Sequence, residues 1–128
     1  MPLEHEELTS TIIGAGISVH RALGPGFVES VYENAMAQEF DHLGMPYQRQ
    51  ASVSVRYRDV EVGRHRLDLF VAEQIVVELK AIRCITNAHF SVVRSYLRAV
   101  GRKHGLIINF SKSKIEVKRV IITPGNRW

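Results

Sequence analysis

The segment from Arg66 to Lys80 constrains this chain more than any other. It holds two apolar runs, Leu67–Val71 and Ile75–Leu79, on either side of Ala72-Glu73-Gln74. Short runs rich in β-branched residues and bounded by polar punctuation read as strands. A three-residue loop folds them into a hairpin. Val71 then faces Ile75, Leu69 faces Val77, and Leu67 faces Leu79, so one face is wholly apolar. A slip of one residue would move every side chain to the other face, so the pattern selects this register. The same register sets Asp68 opposite Glu78, with Cβ atoms about 5 Å apart. Lys80 shares the face of Glu78, and Arg66 lies opposite Lys80. Neighbouring carboxylates repel when both are ionised, and a divalent cation removes that repulsion. Hard oxygen donors suit Mg²⁺, with Mn²⁺ as the alternative. Lys80 can orient or deprotonate a water or hold a phosphate oxygen, while a metal polarises phosphate and acidifies water. These are the parts of metal-assisted phosphodiester hydrolysis. The same four side chains also fit a solvated sheet face with weak ion pairs, and spacing alone does not separate the two readings.

The rest of the chain supplies the frame. Leu8, Ile12, Ala15, Val19 and Leu23 recur at helical spacing, which predicts a helix from Glu6 to Leu23. Gly24-Pro25-Gly26 ends it. A second helix is expected from Phe27 to Leu43, before Gly44. The period then becomes two through Val53, Val55 and Tyr57, with a turn at Arg58-Asp59. Strands at Val60–Val71 and Ile75–Lys80 follow, then a helix at Asn87–Arg102 and strands at Leu106–Phe110 and Ile115–Ile122. This order predicts an α/β fold, a mixed β-sheet flanked by helices. The length, 128 residues, fits a single domain over residues 1–128, with enough core to need no disulfide. Cys84 stands alone, which excludes an intrachain disulfide, and reads as a small core residue. Residues Met1–Ser10 are polar and acidic, unlike a secretory leader, and no apolar run approaches the roughly 20 residues of a membrane span. The expected compartment is the cytoplasm. A net charge of +4 fits an anionic partner such as nucleic acid, as it fits many other soluble proteins.

Over nearly its whole length the chain resembles a known family. Gly26, Glu29 and Tyr32 form a GxxExxY pattern. Asp68, in Arg66-Leu67-Asp68-Leu69, followed by Glu78-Leu79-Lys80, resembles the D…ExK motif of the PD-(D/E)XK nuclease superfamily. Ser95-Tyr96-Leu97 and Leu106–Phe110 resemble that superfamily's next helix and strand, so the likeness runs from about residue 6 to residue 122. The combined pattern resembles the GxxExxY protein family. The resemblance implies a restriction-endonuclease-like core in which Asp68 and Glu78 bind Mg²⁺ and Lys80 serves catalysis. It also implies that Glu29 approaches the metal. Four residues before Tyr96, where similar sequences carry Gln, this chain carries Val92.

Other residues carry two readings each. Glu29 is equally a favourable charge in the first turn of its helix. Tyr32 belongs to an apolar stripe, and its hydroxyl needs a partner if buried. His20 either reaches phosphate or is hydrogen-bonded within a helix interface. Arg94, Arg98 and Arg102 fall four apart, on one helix face that could track a nucleic-acid backbone or simply be solvated. The leading expectation is a Mg²⁺-dependent nuclease acting on DNA or RNA, with Asp68, Glu78, Lys80 and Glu29 as catalytic residues. Nucleic-acid contacts are expected from His20, Arg66, Arg94, Arg98 and Arg102. A nuclease-fold module that binds nucleic acid or protein without cutting is the alternative, favoured by Val92. A structural or oligomeric partner, such as a homodimer, that uses the exposed sheet edge or the apolar C-terminal strand is the remaining one.

Overall fold

The computed structural model describes residues 5–123. Three helices, α1 (His5–Leu23), α2 (Glu29–Leu43) and α3 (Asn87–Val100), accompany five strands. The strands are β1 (Tyr47–Tyr57), β2 (Val60–Val71), β3 (Ile75–Lys80), β4 (His104–Asn109) and β5 (Glu116–Ile121). They form one sheet in the order β1-β2-β3-β4-β5. All neighbours are antiparallel except β3 and β4. A parallel pair needs a crossover, and α3 supplies it. The α/β class and the mixed sheet flanked by helices are as expected.

Two apolar layers cover the sheet. On one side Leu8, Ile12, Ala15 and Val19 of α1 and Tyr32, Met36 and Phe40 of α2 pack on Leu69, Val77, Leu79 and Ile108. On the other, Val93 and Leu97 of α3 pack on Phe70, Val76 and Ile107. Helix α3 lies close enough that a Cβ added to Gly105 would meet Val93 Cγ1 at 2.9 Å and the Val76 carbonyl oxygen at 3.3 Å. Its N-terminus is closed by the Thr86 N–H, which donates to His89 Nδ1 at 2.8 Å, a histidine version of the capping box.

Element ends differ from expectation where backbone conformation outranks periodicity. Helix α2 begins at Glu29, because Gly26 has φ +114° and Val28 is extended. Helix α3 stops at Val100, because Gly101 takes the left-handed cap conformation at φ 72°. Arg102 is therefore outside the helix. Strand β1 starts at Tyr47, ahead of the alternation that marks its middle. Cys84 is exposed in the loop after β3 and is not a core residue.

The hairpin register is as expected at its closed end. Val71 pairs with Ile75 and Leu69 with Val77, around Ala72 and Glu73, both in the left-handed region. The ladder then ends. Leu67 does not face Leu79: it packs with Val93 and Leu97 beneath α3, whereas Leu69 and Leu79 pack beneath α1 and α2. Strand β1 changes layer at the same level, from Tyr47 on one side to Ala51 and Val53 on the other. The swap coincides with Gln50, which has φ 49°. Such a non-glycine conformation turns the strand and reassigns its faces. Arg66 consequently pairs with Ser52 of β1 rather than standing opposite Lys80.

Candidate active site

Asp68 sits where β2 leaves β3, and side chains replace the missing ladder there. The Leu79 N–H donates to Asp68 Oδ2 at 2.9 Å, and the Asp68 N–H points at Glu78 Oε1 across 3.5 Å. Each carboxylate thus lies against the other residue's strand. Lys80 Nζ stands 3.9 Å from Glu78 Oε2, at the outer limit of an ion pair. Strand β3 is anchored beyond it: the Phe110 N–H donates to the Lys80 carbonyl at 2.9 Å. Asn109, fully buried, accepts from the Ile82 and Ser111 N–H groups and donates to the Ile82 carbonyl and Glu116 Oε1. The loop after Lys80 is therefore fixed by one side chain.

The electrostatics follow from this packing. Glu78 is only 6% exposed. Burial, and then the charge of Asp68, push its carboxyl up to about 8, against the pull of Lys80. Burial also raises Asp68, helped by the charges of Glu33 and Glu29, while the Leu79 N–H and Lys80 oppose the rise. One ammonium at 3.9 Å does not neutralise two desolvated carboxylates. Among the described residues no third His, Cys, Asp or Glu joins them to complete a metal shell. Mg²⁺ needs no such cage, since it commonly takes one or two carboxylates and keeps waters or phosphate oxygens for the rest. The donor set of Asp68 and Glu78 fits that habit.

Glu29 is exposed at the first position of α2, and its charge raises both Asp68 and Glu78. The loop before it is held by Tyr32. That phenol, fully buried and stacked on Phe110 at 4.3 Å, donates to the Gly24 carbonyl at 2.6 Å and accepts from the Phe27 N–H at 3.2 Å. Gly26, Glu29 and Tyr32 thus work as one unit: a glycine bend, a carboxylate at the helix start, and the ring that ties the bend down.

Two residues near the acid pair were not expected there. Glu33, one turn after Glu29, acts on Asp68 more strongly than Glu29 does. It accepts from Arg49 Nε and Nη2 at 3.2 and 3.0 Å and from Gln50 Nε2 at 2.6 Å. The four-residue spacing from Glu29 was its signal in the sequence. Tyr96 of α3 is half-buried, and burial together with the charges of Glu78 and Asp68 raises its phenol above the usual range. Its ring lies 5.1 Å from that of His65. Val92, one turn before Tyr96, is 44% exposed and brings no polar side chain to that side.

None of the remaining candidates makes a hydrogen bond or ion pair with Asp68 or Glu78 among the described residues. His20 is 8% exposed and donates Nε2–H to the Lys112 carbonyl at 2.8 Å. Arg66 is exposed on β2. Arg94 donates to Ser91 Oγ at 3.3 Å, and Arg98 is exposed on the same helix. Arg102 is off the helix, and its Nε donates to the Glu73 carbonyl at 2.6 Å, so the expected stripe of three arginines reduces to two.

A mixed sheet between helix layers, with Asp68 on one strand and Glu78-Leu79-Lys80 on the next, defines a restriction-endonuclease-like core bearing an ExK motif. The family profile of the PD-(D/E)XK nuclease superfamily matches residues 6–120, and the chain belongs to that superfamily. Nucleases of this superfamily typically use divalent metals. No curated protein matches the chain. A solved structure titled "Crystal structure of SSO0001" is similar, with a TM-score of 0.57 and 13% identity over 91% of this chain. At that identity the likeness is one of fold, and this chain spans 57% of the other's length. No described helix is long and apolar enough to cross a membrane.

Proposed function

We propose that the protein is a divalent-metal-dependent nuclease that hydrolyses phosphodiester bonds, with Mg²⁺ as the preferred ion and Mn²⁺ as the alternative. The observation that carries this reading is the pair of desolvated carboxylates, Asp68 and Glu78, that one lysine leaves incompletely neutralised. A cation held between them would supply Lewis-acid polarisation of a phosphoryl oxygen and a more acidic water. Lys80 positions the attacking water or a phosphate oxygen, being a partly exposed donor at the rim of the pair. The Leu79 N–H fixes Asp68 in orientation, and Glu29 adds negative charge that favours the cation. Arg66, Arg94, Arg98, Arg102 and His20 are the candidates for nucleic-acid contact.

The test is cleavage. Purified protein is incubated with single- and double-stranded DNA and RNA in Mg²⁺, Mn²⁺ or EDTA, beside a Lys80→Ala control. Metal-dependent cutting absent from the control is expected. A folded protein that cuts nothing under any metal would refute the reading. That result would favour the second one, a nuclease fold that binds without cutting, which the exposed apolar Val92 supports.

A further inference from the structure

Strands β1 and β2 outgrow the sheet. Their ladder runs from Tyr47↔Val71 to Tyr57↔Val60, whereas β2 pairs with β3 only from Val71 to Leu69. Beyond Leu67 the base of the ribbon they form still rests on α3, through buried Val53 and the His65–Tyr96 contact; past that pair the two strands project freely, and every residue from Arg56 to Arg66 is exposed. Four register pairs from Ser54↔Arg64 to the tip give the projecting part a length of about 13 Å. Arg58 and Asp59, both in the left-handed region, close it with a tight two-residue turn. The ribbon is rooted at the acid pair, since Arg66 precedes Asp68 by two residues.

Its chemistry is cationic. Arg56, Arg58, Arg64 and Arg66 outnumber Asp59 and Glu61. Glu61 is already engaged by Arg64 at 3.2 Å, and the Asp59 carbonyl by Arg56 at 2.7 Å. Arg58 lies over the Tyr57 ring, 5.6 Å from its centroid, and neither it nor Arg66 pairs with a carboxylate among the described residues. Tyr57, Val60 and Val62 add apolar surface, each more than 60% exposed.

We infer that this ribbon is a docking arm for double-stranded DNA that enters the major groove and sets the duplex against Asp68 and Glu78. The inference rests on the nuclease reading above and names its substrate class. A B-form major groove, about 12 Å wide, admits a two-stranded ribbon, and its phosphates complement the arginines. The major groove of A-form RNA is too deep and narrow for side chains to read. Single strands call for several stacking platforms, and the ribbon offers one aromatic ring, Tyr57. A second copy of this chain pairing along the free edge of β1 is separated from DNA binding by the measurement below.

Fluorescence anisotropy in EDTA, where metal-dependent cutting is silent, tests the inference with a short DNA duplex, its single strand and the matching RNA duplex. The protein is compared with the double variant Arg58→Gln/Arg66→Gln. These are exposed positions, and circular dichroism checks the fold. Expected are tightest binding to duplex DNA, about 10-fold loss in the variant, and a salt slope shallower by about 2. Unchanged affinity in the variant would overturn the inference, as would tighter binding to either other substrate. Self-association that the variant abolishes while DNA affinity stays the same would also overturn it and reassign the ribbon to a dimer interface. DNA bound through the arginines but never cut would leave the arm standing and sink the nuclease reading instead.

Discussion

Replacing Glu78 with Gln keeps the shape of a buried side chain and removes its charge, so the metal-free variant should gain stability over the metal-free parent as pH rises. Glu78 titrates near 8 in the folded chain against an ordinary 4.5. The folded state thus holds the proton more tightly than the unfolded one. This contribution to stability is greatest below about pH 4.5 and is lost as pH climbs to about 8. At about 1.4 kcal/mol per pH unit, the penalty is about 4 kcal/mol at pH 8 and under about 1 kcal/mol at pH 5. Asp68 shares the repulsion, so one substitution recovers roughly half, about 2 kcal/mol at pH 8. Urea unfolding in EDTA measures it. With a slope of about 2 kcal/mol per molar urea, the Gln variant's midpoint should exceed the parent's by about 1 M at pH 8 and by little at pH 5. A variant equally shifted at both pH values, or destabilised at pH 8, would refute the argument that burial and Asp68 load this carboxyl. Saturating Mg²⁺ should raise the parent's midpoint at pH 8 more than the variant's.

Three further substitutions probe the scaffold. Tyr32→Phe strands the Gly24 carbonyl and the Phe27 N–H and should cost about 1–3 kcal/mol in urea unfolding; an unchanged midpoint would deny that the phenol holds the bend before Glu29. Asn109→Ala leaves the half-buried Ile82 backbone groups unpaired and should cost about 1–3 kcal/mol, with the exchange of the Ile82 amide proton accelerated. Gly105→Ala puts a methyl 2.9 Å from Val93 and should destabilise by about 1–3 kcal/mol; a thermal midpoint equal to the parent's would mean that α3 yields freely from the sheet.

The hairpin was legible because both its apolar runs are buried on a defined side, which makes register a property of the residue pattern alone. Asp68, Glu78 and Lys80 followed from that register without any view of the rest. The end of the ladder was not legible. It coincides with Gln50, sixteen or more residues from the hairpin's core, and a left-handed glutamine leaves no mark in periodicity. With the ladder ended, Arg66 and Leu67 left the places that strict alternation had assigned them. The end of α3 was readable, since Gly101 is a ready cap, but the apolar and basic spacing ran past it to Arg102. Cys84 shows the limit of residue type as a guide to burial: its loop neighbours Ala81 and Ile85 pack against the two apolar layers, while Cys84 itself is exposed. Glu33 had only its spacing from Glu29 to mark it. Its importance comes from Arg49 and Gln50, which meet it only after the chain has folded back on α2.

The bond from the Leu79 N–H to Asp68 gives the acid pair a private sensor. Elsewhere along β3 an amide proton answers to a neighbouring strand and is indifferent to charge. At Leu79 it answers to a titrating oxygen. Its resonance frequency will therefore move whenever Asp68 gains or loses a proton, or shares its electrons with a cation, and one backbone signal can register what occupies the site.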